Sequence, residues 1–569
     1  MKKGSWLLKG LLILWVVSAL LASVAMYRLW WSRERVLYTG KPPMEQREEI
    51  FKRAGLPLDA LKNATDFDGA LPPEGRYKVS GSGVKSSYVE YLLIPRLPTS
   101  EKLHVLSLDE NHIPIGPSPQ FSNDPAFFTI HPTPIGFILS AVVLTGMALF
   151  LVRFGLSLPE GFAVAAFVTL CAVLLSKGLL GNMQAAGFIL FGLGLTSYIV
   201  LIAGSLHASK MKKPILPRSL WTYGCLAIIA LFVSWGFLMA VVVGPDDWDT
   251  WAQWGPKAKI LTLPYGNLSD IRLFVPGSGD YPLLWPSVWA FSSWSAGGWE
   301  EQWGKGWSLI FLLLTTGQLA HLTGRFLPGH SGWKFFPAAF FVSMPAVPLI
   351  ASWGYAEAPL WLMLVCATGR LFRWQSEPTS RNLLLAGLFT AFAACTKNEG
   401  IAFALLAFLW LVSQTRSFRS WVLFLWPTVL FVGMWKIYVK IAIQTENHVV
   451  SGFKEFSYTL SHLPEILSGA VAHILKIWSD PRQWLMVLPV LLILAVVQLV
   501  RGSGKDRCNV LLPLGYLMVS FAVIVFNGEN WAWQLGVVWN RLTLQTVVIL
   551  LPSLLVWIHR SGKLGSDNI

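Results

Sequence analysis

The stretch SLWTYGCLAIIALFVSWGFLMAVVV, at residues 219–243, contains no charged side chain. A helix that crosses the hydrocarbon core of a bilayer needs about 20 mostly apolar residues, so this stretch predicts a membrane-spanning helix. Thirteen further stretches have the same character, which predicts an all-α polytopic membrane protein with about fourteen transmembrane helices. They lie near residues 6–31, 134–152, 161–179, 186–205, 306–323, 335–352, 355–371, 382–397, 400–413, 420–441, 483–500, 510–526 and 542–558. The short stretches 382–397 and 400–413 could form one broken hairpin.

The composition of the 569 residues agrees with a membrane protein. Hydrophobic residues make up 54% of the chain and charged residues 13%, about half the charged fraction of an average soluble domain. These figures exclude an ordinary soluble enzyme, a disordered protein and a collagen. The 29 Trp and 34 Phe suit many helices that present aromatic side chains at both membrane interfaces. The five Cys show no spacing typical of a metal site or a disulfide framework.

The distribution of charge predicts the orientation in the membrane. The chain begins Met-Lys-Lys, which places this end in the cytoplasm, and the apolar run up to residue 31 favours an uncleaved anchor over a signal peptide. Alternating the spans from there puts 20 of the 45 Lys and Arg, but only four of the 31 Asp and Glu, on the cytoplasmic side. This positive-inside pattern explains the net charge of +14 without nucleic acid as a partner. It also places nearly every carboxylate suited to catalysis outside the cytoplasm.

The chain is predicted to divide into five parts. Residues 32–133 are polar, with turn-rich stretches between strand-like runs at 88–94 and 103–108, which predicts a small extracytoplasmic α+β or β domain. The five parts are an N-terminal transmembrane anchor (1–31), this domain (32–133), extra transmembrane helices (134–218), a core (219–560) with a long outer loop (244–305), and a cytoplasmic tail (561–569).

The outer loop opens with PDDWDTWAQWGPKAK at residues 245–259. Its carboxylates, Asp246, Asp247 and Asp249, lie within four residues and are flanked by Trp. A carboxylate that Trp side chains partly desolvate can be basic enough to remove a proton from a substrate. The alternative is a wet interfacial loop in which Asp side chains cap helix-start amides. Three carboxylates with aromatic flanks favour the catalytic interpretation.

Two later pieces combine an acid with aromatic residues. DYPLLWP at 280–286 has an aromatic turn bracketed by prolines, which suits re-entry to a membrane surface and indicates a substrate role or a plain interfacial loop. Glu357, in WGYAEAP at 353–359, lies at the outer end of an apolar stretch. An ionisable group in such a position is a functional candidate, although a carboxylate is also favoured at any helix N-terminus.

Two cations lie on the same predicted face. Lys397, in TKNEG at 396–400, either pairs with Glu399 or offers a compact charge to a phosphate. Arg541 enters the last apolar stretch from outside, where the positive-inside pattern disfavours a basic residue. Its guanidinium could grip a phosphate with several donors, or extend toward lipid headgroups.

In this order and on one membrane face, these pieces resemble the GT-C superfamily of membrane glycosyltransferases, which includes protein O-mannosyltransferases and the transferases that add aminoarabinose to lipid A. The resemblance covers about residues 219–560. In the family, a catalytic Asp opens a stretch that ends in Pro-Arg/Lys-Ala-Lys, and later motifs read Tyr/His-Pro-Pro, Gly-Tyr-Ala-Asp, Thr-Lys-x-x-Gly and Asp-Arg-Leu. The similar pieces here are residues 249–259, YP at 281–282, GYAE at 354–357, TKNEG at 396–400 and NRL at 540–542.

The resemblance implies an inverting transfer of a sugar from a polyprenyl-phosphate donor to an extracytoplasmic glycan, lipid or protein, by a multi-pass protein of the cell inner membrane whose active site faces the periplasm or exterior. Asp249 takes the place of the catalytic base, with Asp247 as a rival and Glu357 as a third catalytic candidate. The candidate substrate-binding residues are Lys397, Glu399, Arg541, Lys257, Trp254 and Tyr281. Asp247, Asp249 and Glu357 could gather a divalent cation, although no spacing requires one.

Other classes of membrane protein remain as alternatives. A ligase or polymerase of the O-antigen type would use a diphosphate-linked donor and a large late outer loop, whereas the late loop here is modest. A transporter would carry acids in mid-span and broken helices in paired halves, and neither pattern is found in the sequence. A non-catalytic membrane protein of polysaccharide assembly would have the same composition.

Overall fold

The structure is a computed structural model, and most of its described residues are helical, as the sequence predicts. The described residues are 2–29, 76–80, 97–98, 105–107, 134–205, 219–243, 247–262, 268–274, 278–328, 333–444, 456–485, 487–526 and 531–566. The α-helices up to the outer loop are α1 (Lys2–Leu29), α2 (Ile135–Val152), α3 (Leu158–Leu180), α4 (Gln184–Ser205) and α5 (Leu220–Val242).

The outer loop and the rest of the core contribute further helices. Within the loop, a π-helical turn at Thr250–Trp254 leads into α6 (Gly255–Thr262), and a 3₁₀ turn at Leu268–Asp270 leads into α7 (Ile271–Phe274). The α-helices that follow are α8 (Leu284–Ser295), α9 (Gln302–Phe326), α10 (Phe336–Val342), α11 (Ala346–Ser352), α12 (Glu357–Ser376), α13 (Ser380–Thr396), α14 (Glu399–Gln414), α15 (Phe418–Tyr438), α16 (Phe456–Ser461), α17 (Leu463–Trp478), α18 (Pro481–Trp484), α19 (Val487–Arg501), α20 (Gly504–Val525) and α21 (Trp531–Ser566).

Within the described residues, seven helices are long and apolar enough to cross a membrane. They are Ile135–Val152, Leu158–Leu180, Gln184–Ala203, Leu220–Val242, Phe418–Ile443, Gly504–Val525 and Trp531–Ser561. Shorter apolar helices occur at Ile13–Arg28, Glu399–Gln414 and Val487–Arg501. The protein therefore has the architecture of a multi-pass, all-α membrane protein. Each of the fourteen predicted stretches overlaps a helix, but the number of fourteen spans stays a prediction.

One predicted span is not a continuous helix. The stretch 335–352 forms two short helices, α10 and α11, separated by residues 343–345. Pro345 and Pro348 lack the backbone N–H that an uninterrupted helix would use there, which explains the break. The hydroxyl of Ser343, at the break, accepts a hydrogen bond of 3.1 Å from the Trp15 indole, so α1 packs onto the core at this point.

Three short strands lie in the predicted extracytoplasmic domain. They are β1 (Arg76–Ser80), β2 (Leu97–Pro98) and β3 (Val105–Ser107), and β1 pairs in parallel with both others. Strand β3 overlaps the predicted run at 103–108, whereas the run at 88–94 lies outside the described residues. The domain at 32–133 therefore stays a prediction.

Helix α12 is the central helix of the core. All residues from Glu357 to Phe372 are buried, because α12 packs against α9, α13 and α21. Glu357 begins this helix, and Arg370 lies near its other end. There the Arg370 Nε is 2.5 Å from Glu160 Oε1, and Arg370 Nη1 is 3.1 Å from Asn382 Oδ1, so the buried guanidinium is paired.

Helix α21 is the longest helix of the described chain, with 36 residues. Its Arg560 lies at the end of the bundle that the sequence predicts to be cytoplasmic, where Nη1 is 2.9 Å from Asp506 Oδ1. Its Arg541 lies nearer the other end and is buried. The same helix thus carries one paired arginine near each end of the bundle.

Candidate active site

The start of the outer loop is fixed against the segment that precedes α12. Asp249 lies immediately before the π-helical turn Thr250–Trp254. The Thr250 hydroxyl donates a hydrogen bond to the Trp353 carbonyl, and the Trp285 indole donates to the Gly354 carbonyl at 2.8 Å. These two bonds hold the loop beside residues 353–354, which brings Asp249 close to Glu357.

Gly354 makes the tight turn into α12 possible. Its φ of +79° is in the left-handed region, which favours glycine. A Cβ at this position would lie 2.3 Å from Cγ of Lys305, whose ammonium donates to the Val243 carbonyl at 2.7 Å. The close approach of Lys305 therefore explains the glycine in the GYAE motif, and the turn directs Glu357 into the protein, where it is fully buried.

Two cations surround Glu357. The Lys397 Nζ lies 2.8 Å from Glu357 Oε1 and 2.7 Å from Glu399 Oε1. The Arg541 Nη1 contacts Asp249 Oδ2 and lies 3.4 Å from the same Glu357 Oε1. One carboxylate oxygen of Glu357 therefore bridges both cations. We call these five residues the charge cluster.

The charge cluster is buried at its centre and open at its edge. Its side chains are exposed by 0% for Glu357, 4% for Lys397 and 7% for Arg541, but by 17% for Asp249 and 21% for Glu399. A molecule that approaches from solvent would therefore meet Asp249 and Glu399 first. Buried charges are expensive unless they are paired, which accounts for the alternation of carboxylates and cations.

Three polar atoms of the charge cluster have no hydrogen-bond partner among the described residues. They are Glu357 Oε2, Glu399 Oε2 and Arg541 Nε. Nearly all buried polar groups in proteins are hydrogen-bonded, so unpartnered ones indicate a ligand site or ordered water. The Arg541 guanidinium also lies over the Tyr355 ring, 5.0 Å from its centroid, which orients its plane.

Lys257, Trp254 and Tyr281 form a second group beside the charge cluster. The fully buried Lys257 donates to the carbonyls of Ser278 and Tyr281, at 2.5 and 3.2 Å. Its Nζ lies 5.6 Å from the ring centroids of both Trp254 and Tyr281. Burial lowers the pKa of Lys257 to about 7, although the charge of Asp280 opposes that shift. These three residues hold the turn at 278–281, and their binding of substrate stays a prediction.

A third group contains two residues that the sequence did not single out. Asp280 Oδ2 accepts hydrogen bonds from Asn398 Nδ2 at 3.0 Å and from Lys436 Nζ at 3.3 Å. Lys436 Nζ also donates to Asn398 Oδ1 at 3.0 Å. The feature of the sequence that could have indicated this group is Lys436, a cation near the end of an otherwise apolar stretch. We call Asp280, Asn398 and Lys436 the outer triad.

Asp247 is half-buried, and its backbone carbonyl accepts from the Thr250 N–H at 3.1 Å. Asp246 lies outside the described residues. Among the residues that are described, no group of three His, Cys, Asp or Glu side chains could hold a metal ion. In the structure, Asp247, Asp249 and Glu357 therefore do not form such a group.

The structure brings together five of the nine site residues predicted from the sequence, and they come from four separate segments of the chain. Cations between carboxylates can bind an anion and can orient a carboxylate that accepts a proton. Comparisons with protein-family models, with curated proteins and with solved structures give no match to this chain.

Proposed function

We propose that the protein is a membrane glycosyltransferase that moves a sugar from a polyprenyl-phosphate donor to an acceptor outside the cytoplasm, with inversion at the sugar carbon. The charge cluster is the observation that supports this function best. Four of the five motifs that resemble the GT-C superfamily supply its members, and the fifth supplies the neighbouring Tyr281.

The two cations of the charge cluster suit the donor phosphate. Arg541 Nε has no partner within the described chain, and an ammonium such as that of Lys397 has three donors, of which Glu357 and Glu399 occupy two. The donor is a phosphodiester, and its phosphate gains a negative charge when the sugar leaves. Cations already held in place favour that step, because they stabilise charge that develops in the transition state.

Asp249 is the carboxylate best placed to act as the base. It is more exposed than Glu357, and Arg541 orients it. In the proposed step, an acceptor hydroxyl oxygen attacks the sugar carbon, the bond from that carbon to the phosphate oxygen breaks, and the hydroxyl proton passes to Asp249. Asp247 remains the rival base. Glu357 is fully buried between two cations, so its proposed role is to hold Lys397 and Arg541 in place.

The proposal includes a location for the site. The count of basic and acidic residues on the two sides of the predicted spans supports an active site that faces the periplasm or exterior of the cell inner membrane. The predicted fourteen spans and the predicted domain at 32–133 belong to the same proposal. That domain would then lie on the side of the membrane where the sugar is transferred.

Transfer of labelled sugar by the purified protein in lipid tests the function. With a saturating polyprenyl-phosphate donor, Asp249→Asn should lower turnover by a factor on the order of 10² or more, because the shape is kept and the basicity is lost. Asp480→Asn is a matched control, since Asp480 forms its ion pair with Arg482, a residue outside the charge cluster whose side chain is 88% exposed. It should stay within about tenfold, a barrier change near 1.4 kcal/mol.

The other outcomes separate the alternatives. An active Asp249→Asn beside an inactive Asp247→Asn would move the base by two residues. Transfer only from a diphosphate-linked donor would favour an enzyme of the O-antigen ligase type. No transfer from either donor, in a protein that cells need for glycan assembly, would favour a non-catalytic role and contradict the proposal.

A further inference from the structure

The outer triad joins three segments that are distant in sequence. Asp280 lies in the turn before α8, Asn398 lies in the turn between α13 and α14, and Lys436 lies near the end of α15. The Asp280 side chain is 5% exposed and that of Lys436 is 32% exposed. Each member contacts both others within 3.3 Å, so the triad is a closed triangle of polar contacts.

The triad adjoins the charge cluster along the chain. Asn398 lies between Lys397 and Glu399, the two residues whose side chains form an ion pair of 2.7 Å. A turn that is held by its middle residue has a fixed direction for the side chains on either side. The contacts of Asn398 therefore act on the same turn that carries Lys397 and Glu399.

The turn between α13 and α14 is also rigid. The N–H groups of Gly400 and Ile401 donate to the carbonyls of Lys397 and Asn398, both at 2.9 Å. A Cβ on Gly400 would lie 2.3 Å from the backbone of Ala393, so the two helices are in close contact here. A turn packed this tightly transmits a displacement of Asn398 to its neighbours, because it has little room to absorb it.

The Asp280 side of the triad is anchored as well. The Trp435 indole donates to the Asp280 carbonyl at 3.0 Å, and Lys257 holds the carbonyls of Ser278 and Tyr281. Asp280 is thus fixed through its backbone, and its carboxylate provides a stable point for Asn398 and Lys436. The polar contacts described for the triad do not reach Glu357 or Arg541, which sets the triad apart from residues that would touch a donor.

We propose that Asp280, Asn398 and Lys436 are positioning residues that set the geometry of Lys397 and Glu399, and that they thereby control how well the donor binds. This inference rests on the proposed function for its effect on donor binding. Its structural part, the control of the Lys397 position, holds whatever reaction the protein catalyses.

The first test measures how fast a reagent modifies the Lys397 side chain, so it does not require that the protein transfers a sugar. The rate at which acetic anhydride acetylates Lys397 in the full-length protein, followed by peptide mass spectrometry, should rise in Asn398→Ala and in Lys436→Met, because the ammonium leaves its carboxylates. Lys440→Met is the matched control: Lys440 is exposed, lies one turn further along, and should leave the rate unchanged. Unchanged rates in Asn398→Ala and Lys436→Met would overturn the inference.

The second test uses transfer kinetics. Asn398→Ala and Lys436→Met should each raise KM for a polyprenyl-phosphate sugar by roughly tenfold, the size expected for a lost charge-assisted hydrogen bond. They should also lower kcat, because Lys397 stabilises the charge that develops on the donor phosphate. The double variant should add little, because the two residues act as one unit. Lys436→Arg should restore the low KM. If Asn398→Ala does not accumulate in the membrane, Asn398→Ser takes its place.

Together, the two tests distinguish a failure of the proposed function from a failure of the positioning role. A changed Lys397 reactivity without any sugar transfer would contradict the proposed function and leave the positioning role in place. Additive effects of Asn398→Ala and Lys436→Met on KM, with normal Lys397 reactivity, would show that Lys436 binds the donor directly and would overturn the inference.

Discussion

Lys397→Met should destabilise the protein, and Glu357→Gln should cost less in that variant than it costs alone. The charge cluster contains three carboxylates and two cations, a net charge of −1. Lys397→Met removes one cation and leaves a net charge of −2 around a fully buried Glu357. Removal of one partner of a buried ion pair typically costs about 3–5 kcal/mol of unfolding free energy, because the remaining charge is uncompensated.

Glu357→Gln in the same chain restores the net charge of −1. Asp249 and Arg541 remain paired, and the neutral amide that replaces the Glu357 carboxylate no longer needs a cation. We therefore expect Glu357→Gln alone to cost about 1.5–3 kcal/mol, the value of a hydrogen bond to a charged group. The double variant should be more stable than the sum of the two losses by about 1–3 kcal/mol, which is the coupling expected for residues in direct contact.

Equilibrium unfolding in mixed micelles, followed by Trp fluorescence, measures these free energies. Glu377→Gln with Arg373→Met is a control pair, because Glu377 is half exposed and its contact with Arg373 lies far along α12 from the charge cluster. The coupling free energy between Glu377→Gln and Arg373→Met should be below about 1 kcal/mol, as for exposed ion pairs. Losses from Lys397→Met and Glu357→Gln that simply add would show that the two side chains are not coupled, and the account of the charge cluster would be wrong.

Further predictions concern the other charged groups. Arg541→Lys should recover only part of the donor affinity lost in Arg541→Ala, because an ammonium is a point charge without the fork of donors; equal donor KM values in the two variants would contradict the role assigned to the guanidinium. Burial raises the pKa of Glu300 to about 7 from an ordinary 4.5, so the folded protein binds a proton that the unfolded chain releases, and stability should fall as pH rises from about 5 to 7. Thermal unfolding at several pH values should show this slope, and Glu300→Gln should reduce it. Cysteine labelling in intact cells should reach Arg482→Cys from outside and Arg419→Cys only after permeabilisation; the reverse pattern would invert the topology and place the charge cluster on the cytoplasmic side.

The helices could be predicted because long apolar stretches have few alternatives in a chain of this composition. The stretch 219–243 contains α5, and the hairpin predicted from 382–397 and 400–413 is α13 with α14. The division of 335–352 into two helices was missed, although Pro345 and Pro348 carried the signal. Apolar composition outweighed the proline breaks in that prediction.

The membership of the charge cluster could be predicted in part, but its pairing could not. The order of the motifs indicated that Asp249, Glu357, Lys397 and Arg541 share one face. Nothing local in the sequence indicates that one oxygen of Glu357 contacts both cations, since such contacts depend on how α12 and α21 pack. For the same reason, the sequence does not indicate that Lys257, predicted to bind substrate, is fully buried and bound to backbone carbonyls.

The length of α21 should make the protein sensitive to the thickness of the bilayer. Arg541 and Arg560 are 19 residues apart, which corresponds to about 28 Å along a helix and is close to the roughly 30 Å of a hydrocarbon core. No Asp, Glu, Lys or Arg lies between them. In a thinner bilayer α21 would have to tilt or bend at Pro552, or one arginine would move toward the headgroups, and each of these changes acts on the Asp506 contact or on the charge cluster. We therefore expect the acyl-chain length of the surrounding lipid to affect the geometry around Asp249.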